Sequence, residues 1–259
     1  MALSNIEKHY NKHPEDLRLT RRHGIVEFEV TMHHLHRFLH PDDFVLDVGA
    51  GTGRYTSALM AEGHRVKAVE LVRRNIEVFL KREPTADVAR GDARCMDFLD
   101  DDVADVTLLL GPLYHLTSDE EKIRALREAR RVTRPGGLIF VAYLMNEYSI
   151  LSYCFDEDRI DGLMERGVVD DNFHIRVKDD ELYDYVRLED IDRLNAAAGL
   201  ERVTIFSPDG AADYMRTRLN YMSDETFARF IDYQKCISER PDLIGAGSHV
   251  VDVVREMKE

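Results

Sequence analysis

Hydrophobic residues near the start of the chain recur at steps of three or four positions. Ile25, Phe28, Met32, Leu35 and Leu39 form one apolar stripe, and this spacing predicts an amphipathic helix. Farther along, the apolar residues gather into short continuous runs that are separated by helical segments. The change of pattern predicts a helix followed by an α/β unit whose central strands are buried on both faces.

Apolar runs predict β-strands at residues 44–48, 66–69, 86–89, 104–110 and 138–144. The segments between them predict helices at residues 54–61, 72–82 and 118–131. Ser118 and Glu121 have the spacing of a capping box at the start of the third of these helices. Strands that alternate with helices in this way are typical of a parallel, doubly wound sheet with helices on both faces.

The second half of the chain has a weaker pattern. It predicts helices at 187–198, 211–221 and 223–238, with strands at 200–206 and 248–254. Residues 146–186 and 207–247 are too long for plain loops, so we expect them to have structure of their own. We therefore expect an N-terminal helical lid at residues 1–40. The main domain would span 41–259, with insertions near 146–186 and 207–247 that roof a substrate pocket.

The charge of the chain bears on its partners. The 259 residues include 49 acidic and 35 basic side chains, which give a formal net charge of −14. Because phosphate backbones attract clustered Lys and Arg, this balance disfavours nucleic acid as the main partner. No apolar segment is long enough to predict a membrane span. We therefore expect no nucleic-acid partner and no membrane partner.

Cysteine and histidine give no sign of a metal site. Cys95, Cys154 and Cys236 are an odd number without a C-x-x-C pair, which excludes a disulfide framework and the common zinc spacings. His36 and His40 share a helix face, but no further ligand is visibly arranged with them. We expect no metal. With no signal peptide expected at the N-terminus, the cytoplasm is the predicted location.

A glycine-rich turn, Asp47-Val-Gly-Ala-Gly-Thr-Gly53, follows the first predicted strand. Glycines there let the backbone approach a ligand closely, and the next helix presents unpaired N–H groups. The dinucleotide fingerprint G-x-G-x-x-G would place its last glycine at position 54, which is Arg54. Binding of a pyrophosphate is therefore disfavoured, and so is a nicotinamide-dependent oxidoreductase.

Three acidic residues stand at the ends of three successive strands: Asp47, Glu70 and Asp92. In a parallel sheet these ends lie along one crevice. Carboxylates accept hydrogen bonds from ribose hydroxyls and amino groups. The set suits a ligand with a ribose, an amino group and a positive charge better than one with several phosphates.

These residues lie in stretches that resemble the class I S-adenosylmethionine-dependent methyltransferases. The resemblance is carried by Val45 to Tyr55, Val69-Glu-Leu71, Gly91-Asp-Ala93, Leu108 to Leu116, and Arg130 to Gly137. The Gly-Pro-Leu-Tyr-His run at 111–115 is similar to a prokaryotic small-molecule branch of that family. The resemblance implies a Rossmann-like, seven-stranded, mostly parallel sheet with an antiparallel last strand and helical lid insertions.

The resemblance also implies which residues bind S-adenosylmethionine. Asp47 would orient the loop or reach the amino group, Glu70 would hold the ribose, and Asp92 would bind the adenine amino group. The remaining expected contacts are Gly49, Ala50, Gly51, Gly53, Tyr55, Leu71, Ala93, Leu110 and Gly111. From the N-terminal segment we add Tyr10 and Arg18, although a solvated basic patch explains Arg18 equally well, and packing explains Tyr55 equally well.

Tyr114 and His115 follow the fourth strand, and the resemblance places them beside the reactive methyl group. His115 has the ordinary pKa range of a general base. The alternative is that both side chains only shape the pocket, and we favour it because methyl transfer to an amine or a thiolate needs little base catalysis. The predicted function is in-line methyl transfer to an O, N or S atom of a small molecule.

Two other functions stay open at this point. Intact cofactor residues would also suit a non-catalytic protein that binds S-adenosylmethionine or its product. A nucleic-acid methyltransferase is disfavoured, because Leu110-Gly-Pro-Leu113 stands where an Asp-Pro-Pro-Tyr motif would follow the fourth strand. The acceptor, its attacking atom and the oligomeric state do not follow from the sequence.

Overall fold

The computed structural model describes residue 6, residues 9 and 10, residues 19–178 and residues 181–257. Its centre is a seven-stranded sheet in the order β3-β2-β1-β4-β5-β7-β6. The strands are β1 Phe44–Val48, β2 Arg65–Glu70, β3 Asp87–Arg90, β4 Ala104–Leu109, β5 Thr133–Leu144, β6 Leu200–Phe206 and β7 His249–Glu256. Strand β7 runs antiparallel to both of its neighbours, and the pairs among β1 to β5 are parallel. The expected fold is confirmed.

The helices cover both faces of the sheet. Within residues 19–178 and 181–257 the α-helices are α1 Arg22–Phe38, α2 Arg54–Ala61, α3 Arg73–Arg82, α4 Asp119–Val132, α5 Asn146–Ser149, α6 Ile160–Glu165, α7 Leu188–Ala198, α8 Arg216–Asn220 and α9 Asp224–Ile237. Helices α4 and α7 contribute to the core on one face, and α1, α2, α8 and α9 contribute to the core on the other. Strand β1 shows why both faces need cover, because Leu46 faces the first core and Val45 the second.

Helix α1 packs on the sheet. The helix buries Val26, Val30 and Leu35 completely, in the same core as Phe140 of β5. Of these three, only Leu35 belongs to the predicted apolar stripe. The predicted helix therefore forms, from Arg22 to Phe38. The division of the chain into a lid at 1–40 and a main domain at 41–259 stays a prediction.

Strand β5 begins earlier than the sequence predicts, at Thr133 instead of residue 138. Thr133 pairs with Ala104, and the register then shifts before Val106 pairs with Leu138. The Pro-Gly-Gly turn is thus an irregularity inside the strand. Gly137 is required there, because a Cβ would lie 2.7 Å from the carbonyl oxygen of Asp105.

The two long insertions contain helices of their own. Residues 146–186 contain α5, a wider helical turn at Ile150–Phe155, and α6. The expected helix at 211–221 is limited to α8, whereas α9 closely matches the expected helix at 223–238. No helix in the described part of the chain is long and apolar enough to cross a membrane.

Candidate cofactor and acceptor site

The glycine loop between β1 and α2 is left-handed at each of its three glycines, with φ of 75° at Gly49, 57° at Gly51 and 79° at Gly53. A Cβ on Gly49 would lie 2.5 Å from the Pro112 ring, and one on Gly53 would lie 2.3 Å from Phe79. At Gly51 no atom lies within 4 Å of the Cβ position. Gly49 and Gly53 are thus required by packing, whereas Gly51 faces open space in front of the loop.

Glu70, the last residue of β2, connects this loop to the sheet through hydrogen bonds. Its carboxylate accepts the N–H of Gly51 at 2.8 Å and the N–H of Val72 at 2.8 Å, and it also accepts from the Asn75 amide at 3.2 Å. Burial raises the pKa of Glu70 above its ordinary value, against the effect of these hydrogen bonds. Oε1 accepts from both Val72 and Asn75, whereas Oε2 accepts from Gly51 and keeps acceptor capacity for a ligand hydroxyl.

Asp47 near the end of β1 lies under the loop. It is 2% exposed, and it accepts a hydrogen bond of 2.6 Å from the Thr56 hydroxyl of α2. Burial raises its pKa to about 6, although the hydrogen bonds with Thr56 act in the opposite direction. This contact supports the expectation that Asp47 orients the loop.

Asp92, after β3, has a partner that the sequence did not suggest. Arg94 donates to both oxygens of Asp92, with Nη2–Oδ2 at 2.6 Å, and also pairs with Glu121 on α4. Burial alone would raise the pKa of Asp92, but the hydrogen bonds and charge of Arg94 bring it below the ordinary value. Asp92 is therefore a fixed anion, positioned by the chain before any ligand arrives.

The loop and the strand ends line one cleft, which we call the glycine-loop cleft. Of the predicted site residues, it contains Tyr10, Asp47, Gly49, Ala50, Gly51, Tyr55, Glu70, Leu71, Asp92, Ala93, Leu110, Gly111, Tyr114 and His115. Gly53 is not among its lining residues, because it packs against Phe79. Arg18 lies outside the described residues. Sequence reasoning missed Leu19, Thr20, Asn75, Arg82 and Arg94.

A second cavity adjoins the first and shares Tyr10 and Tyr114 with it. We call it the tyrosine pocket, because its wall also includes Tyr148, Tyr153, Tyr183 and Tyr185. Its polar lining residues are His23, Glu27, Ser149, Asp213, Arg216, Ser248 and His249. Residues of both predicted insertions thus line a pocket beside the cleft, as expected of a roof, although that role stays a prediction.

His115 is held by both of its ring nitrogens. Nδ1 lies 2.9 Å from the carbonyl oxygen of Leu182, which can only accept, so Nδ1 donates. Nε2 then accepts from the hydroxyl of Tyr10 at 2.8 Å. Burial lowers the pKa of His115 to about 4. This geometry favours a role in shaping the pocket over a role as general base, and the predicted catalytic role of His115 and Tyr114 stays untested.

Ligand atoms of Asp209, Asp213 and His249 lie within 4.8 Å of one another, a spacing that a metal ion could bridge. Asp213 is already paired with the guanidinium of Arg216 at 2.9 Å, and Asp209 with the ring of His249 at 2.7 Å. Since both carboxylates have basic partners, we assign no metal to this cluster.

Comparison with known proteins identifies a family that the central part of the chain matches. Residues 46–141, from β1 through most of β5, match the methyltransferase domain family. Residues 46–141 are a methyltransferase domain. This match agrees with the resemblance of the sequence to the class I, S-adenosylmethionine-dependent methyltransferases.

Curated relatives match a stretch of similar length. Demethylmenaquinone methyltransferase from Renibacterium salmoninarum is 36% identical over 102 residues, which are 39% of this chain and 41% of that protein. Cypemycin N-terminal methyltransferase from a Streptomyces species is 37% identical over 100 residues, 38% of this chain and 40% of that protein. The chain thus spans about two fifths of the length of these relatives.

A solved structure extends the similarity of fold. A protein from Thermotoga maritima, described as a possible histamine N-methyltransferase, superposes with a TM-score of 0.58. The match covers 98% of this chain and 99% of that one, at 20% sequence identity. At this identity the likeness establishes the fold alone.

The cleft of the methyltransferase domain fits S-adenosylmethionine. Open space in front of Gly51 leaves room for a ligand against the loop backbone. Helix α2 begins at Arg54 without a side-chain cap, so its first N–H groups are suited to a carboxylate. Glu70 and Asp92 place two carboxylates on the same cleft for hydroxyl and amino groups.

Proposed function

We propose that this chain transfers a methyl group from S-adenosylmethionine to a small molecule bound in the tyrosine pocket. The observation that carries the proposal is the contact between the two cavities, which share Tyr10 and Tyr114. A protein that only binds the cofactor needs the glycine-loop cleft alone. A transferase needs a second site from which an acceptor reaches the methyl group.

The protein contributes by binding and orientation. When bound, the cofactor supplies an electrophilic methyl group on a sulfonium. Glu70 and Asp92 would hold the nucleoside, and the loop at Gly51 with the start of α2 would hold the amino-acid end. Holding the acceptor in line with that methyl group lowers the barrier by pre-organisation. Tyr10 and Tyr114 would separate the reacting atoms from water.

The wall of the tyrosine pocket is fixed to the domain from several sides. The backbone N–H of Asp184 donates to the carbonyl oxygen of Tyr114 at 2.8 Å, and His115 donates to Leu182. The buried ammonium of Lys122 on α4 pairs with the carboxylate of Asp184. These contacts hold the 182–185 stretch, with Tyr183 and Tyr185, in place before a ligand binds.

The chemical class of the methyl acceptor is also a proposal. One relative is named for demethylmenaquinone and another for the N-terminus of cypemycin, so relatives of equal similarity differ in what they methylate. We propose that the acceptor is a small molecule with an O, N or S nucleophile. We also propose that the protein has no nucleic-acid partner and that it acts in the cytoplasm. The acidic balance of the chain supports the second point.

Isothermal titration calorimetry with S-adenosylhomocysteine and, separately, with NAD tests the cofactor. We expect binding of S-adenosylhomocysteine only. Binding of NAD alone would overturn the proposal in favour of an oxidoreductase. Transfer of a labelled methyl group from S-adenosylmethionine to a small-molecule extract then separates an enzyme from a binding protein, since a binding protein labels no product.

A further inference from the structure

Buried Asp209 and half-buried His249 form a pair beside the tyrosine pocket. Asp209 lies in the loop after β6 and is 1% exposed, and His249 is the first residue of β7. Their Oδ2 and Nδ1 atoms are 2.7 Å apart. The backbone N–H of His249 also donates to the same carboxylate, at 3.1 Å to Oδ2. The carboxylate thus fixes both the position of residue 249 and the orientation of its ring.

The carboxylate also determines which nitrogen of His249 can take a proton. With Nδ1–H directed at Asp209, the basic lone pair of the neutral ring is on Nε2. His249 is a lining residue of the tyrosine pocket, and its ring centroid lies 6.2 Å from that of Tyr114. A protonated ring would be stabilised by the negative charge of Asp209.

His115 offers a useful contrast inside the same molecule. Its Nε2 accepts from Tyr10, and its Nδ1 faces a neutral carbonyl oxygen, with no carboxylate hydrogen-bonded to the ring among the described residues. The hydrogen bonds of His115 thus favour a neutral ring, whereas the ring of His249 faces a carboxylate.

We propose that Asp209 and His249 are the proton-accepting pair of the tyrosine pocket, and that the acceptor is an aromatic molecule whose attacking atom is a hydroxyl oxygen. This inference rests on the proposed function and narrows it. His249 is the catalytic residue of the pair, and Asp209 is a positioning residue that acts through the ring.

Transfer of the acceptor proton to His249 accompanies formation of the new C–O bond. The acceptor oxygen uses a lone pair to form the new C–O bond, and the electron pair of the broken C–S bond stays on sulfur. The hydroxyl proton moves to Nε2 of His249, which becomes an imidazolium beside the Asp209 carboxylate. The proton later leaves to solvent, which restores the neutral ring.

The charges around His249 favour an acceptor that enters uncharged. Asp209 and Asp213 face the ring from the loop after β6, and Arg216 of α8 is paired with Asp213 at 2.9 Å. His23 and Glu27 face the cluster from α1, and burial lowers the pKa of His23. Because Asp209 and Asp213 already have basic partners, neither is left as a counter-ion for an ammonium group. The tyrosine rings suit an aromatic occupant.

The pair itself is tested by NMR of the histidine rings in the intact protein, with His249→Gln used to assign the signals. We expect wild-type His249 to carry its neutral-state proton on Nδ1. In Asp209→Asn the titration midpoint of this ring should fall by about one pH unit or more. Asp213→Asn, a matched loss of one carboxylate that is paired with Arg216, should cause a smaller fall. A proton on Nε2 in wild type, or equal effects of the two variants, would overturn the pairing.

The acceptor class is tested with 4-nitrophenol, whose yellow colour reports its phenolate form. It is added to the complex with S-adenosylhomocysteine at a pH where the free phenol is neutral. We expect the wild type to bind it as phenolate, and His249→Gln to reduce the ratio of phenolate to phenol by about tenfold or more. A bound phenol that stays neutral in wild type, an ionised phenol in His249→Gln, or no binding would contradict the hydroxyl acceptor.

Failure of this inference is distinguishable from failure of the proposed function. Binding of S-adenosylhomocysteine to wild type tests the methyltransferase proposal and does not depend on His249. The same titration on His249→Gln and Asp209→Asn checks that both variants are folded, since we expect unchanged affinity. The NMR result can be interpreted whether or not the cofactor product binds.

Discussion

The carboxylate of Glu70 accepts the backbone N–H of Gly51 at 2.8 Å, so the end of β2 holds the glycine loop where that loop faces the cleft. The same carboxylate accepts the N–H of Val72, just before the start of α3. One side chain therefore connects two strand-to-helix turns of the sheet. A residue expected only to contact a ribose also maintains the shape of the site.

Replacement of Glu70 by Gln should weaken both stability and cofactor binding. The amide presents one acceptor oxygen in place of two, so the N–H of Gly51 or of Val72 loses its partner, which costs about 1–3 kcal/mol. Affinity for S-adenosylhomocysteine should fall by about tenfold or more. The measurements are urea unfolding and calorimetry.

Glu77→Gln is the control for Glu70. Glu77 is an exposed acid on α3 whose ion pair with Arg73 is 3.0 Å long, and such pairs contribute little. We expect neither stability nor affinity to change much in this variant. Unchanged affinity in Glu70→Gln would contradict a role of Glu70 in the site.

Gly51→Ala and Gly63→Ala form a matched pair. Both glycines have positive φ, 57° and 94°, and neither has an atom within 4 Å of its Cβ position. Backbone strain should therefore destabilise each variant by about 1–2 kcal/mol. Only at residue 51 does the added methyl group enter the glycine-loop cleft, so only Gly51→Ala should weaken binding of S-adenosylhomocysteine, by about tenfold or more. Equal affinities in calorimetry would mean that the cofactor does not approach this loop.

Much of the sheet follows from the sequence. Strand β1 has the bounds that its apolar run predicts, because a strand buried on both faces is continuous in hydrophobicity. Strand β6 also has its predicted bounds, although it lies at the edge of the sheet and buries only its first and last residues, Leu200 and Phe206. Ser118 caps α4 by accepting from the N–H of Glu121, as the capping-box spacing predicts. The early start of β5 was missed because Pro135 and Gly136 normally indicate a turn.

The candidate site is only partly predictable. The strand-end acids were found because successive parallel strands end along one crevice. The pairing of Asp209 with His249 spans 40 positions, and that of Tyr10 with His115 spans 105. Neither leaves a local pattern, since both depend on how β6, β7 and the N-terminal residues meet in space. The ion pair of Arg94 with Asp92 depends on a side-chain rotamer, which periodicity does not report.

Asp47 should make the protein less stable as the pH rises from about 4 to 7. Its folded pKa is about 6 and its ordinary value is 3.8, so the folded state holds a proton that the unfolded state has lost. Asp47→Asn removes this dependence. The free energy of unfolding of Asp47→Asn, minus that of wild type, should therefore rise by up to about 3 kcal/mol across this window.

Thr56→Val should increase the pH dependence of stability that Asp47→Asn removes. Loss of the hydroxyl that donates to Asp47 at 2.6 Å should raise the pKa of the carboxyl further and extend the window to higher pH. Urea unfolding at a series of pH values measures both effects. A difference between Asp47→Asn and wild type that is flat with pH would show that the carboxyl is not perturbed.

The hydrogen bond between Tyr10 and His115 acts on the basicity of His115 in the same direction as burial. Burial lowers the pKa of His115 to about 4, and the Tyr10 hydroxyl donates to Nε2, which stabilises the neutral ring. We expect the ring to titrate near this value in an NMR experiment on wild type, and at higher pH in Tyr10→Phe, which lacks only the hydroxyl. Tyr233→Phe, at an exposed tyrosine of α9, should leave the midpoint unchanged.

A wild-type midpoint near the ordinary value of histidine would instead restore His115 as a candidate base and weaken the contrast with His249. If Tyr10→Phe raises the midpoint and keeps the affinity for S-adenosylhomocysteine, Tyr10 serves the wall of the tyrosine pocket and not the cofactor.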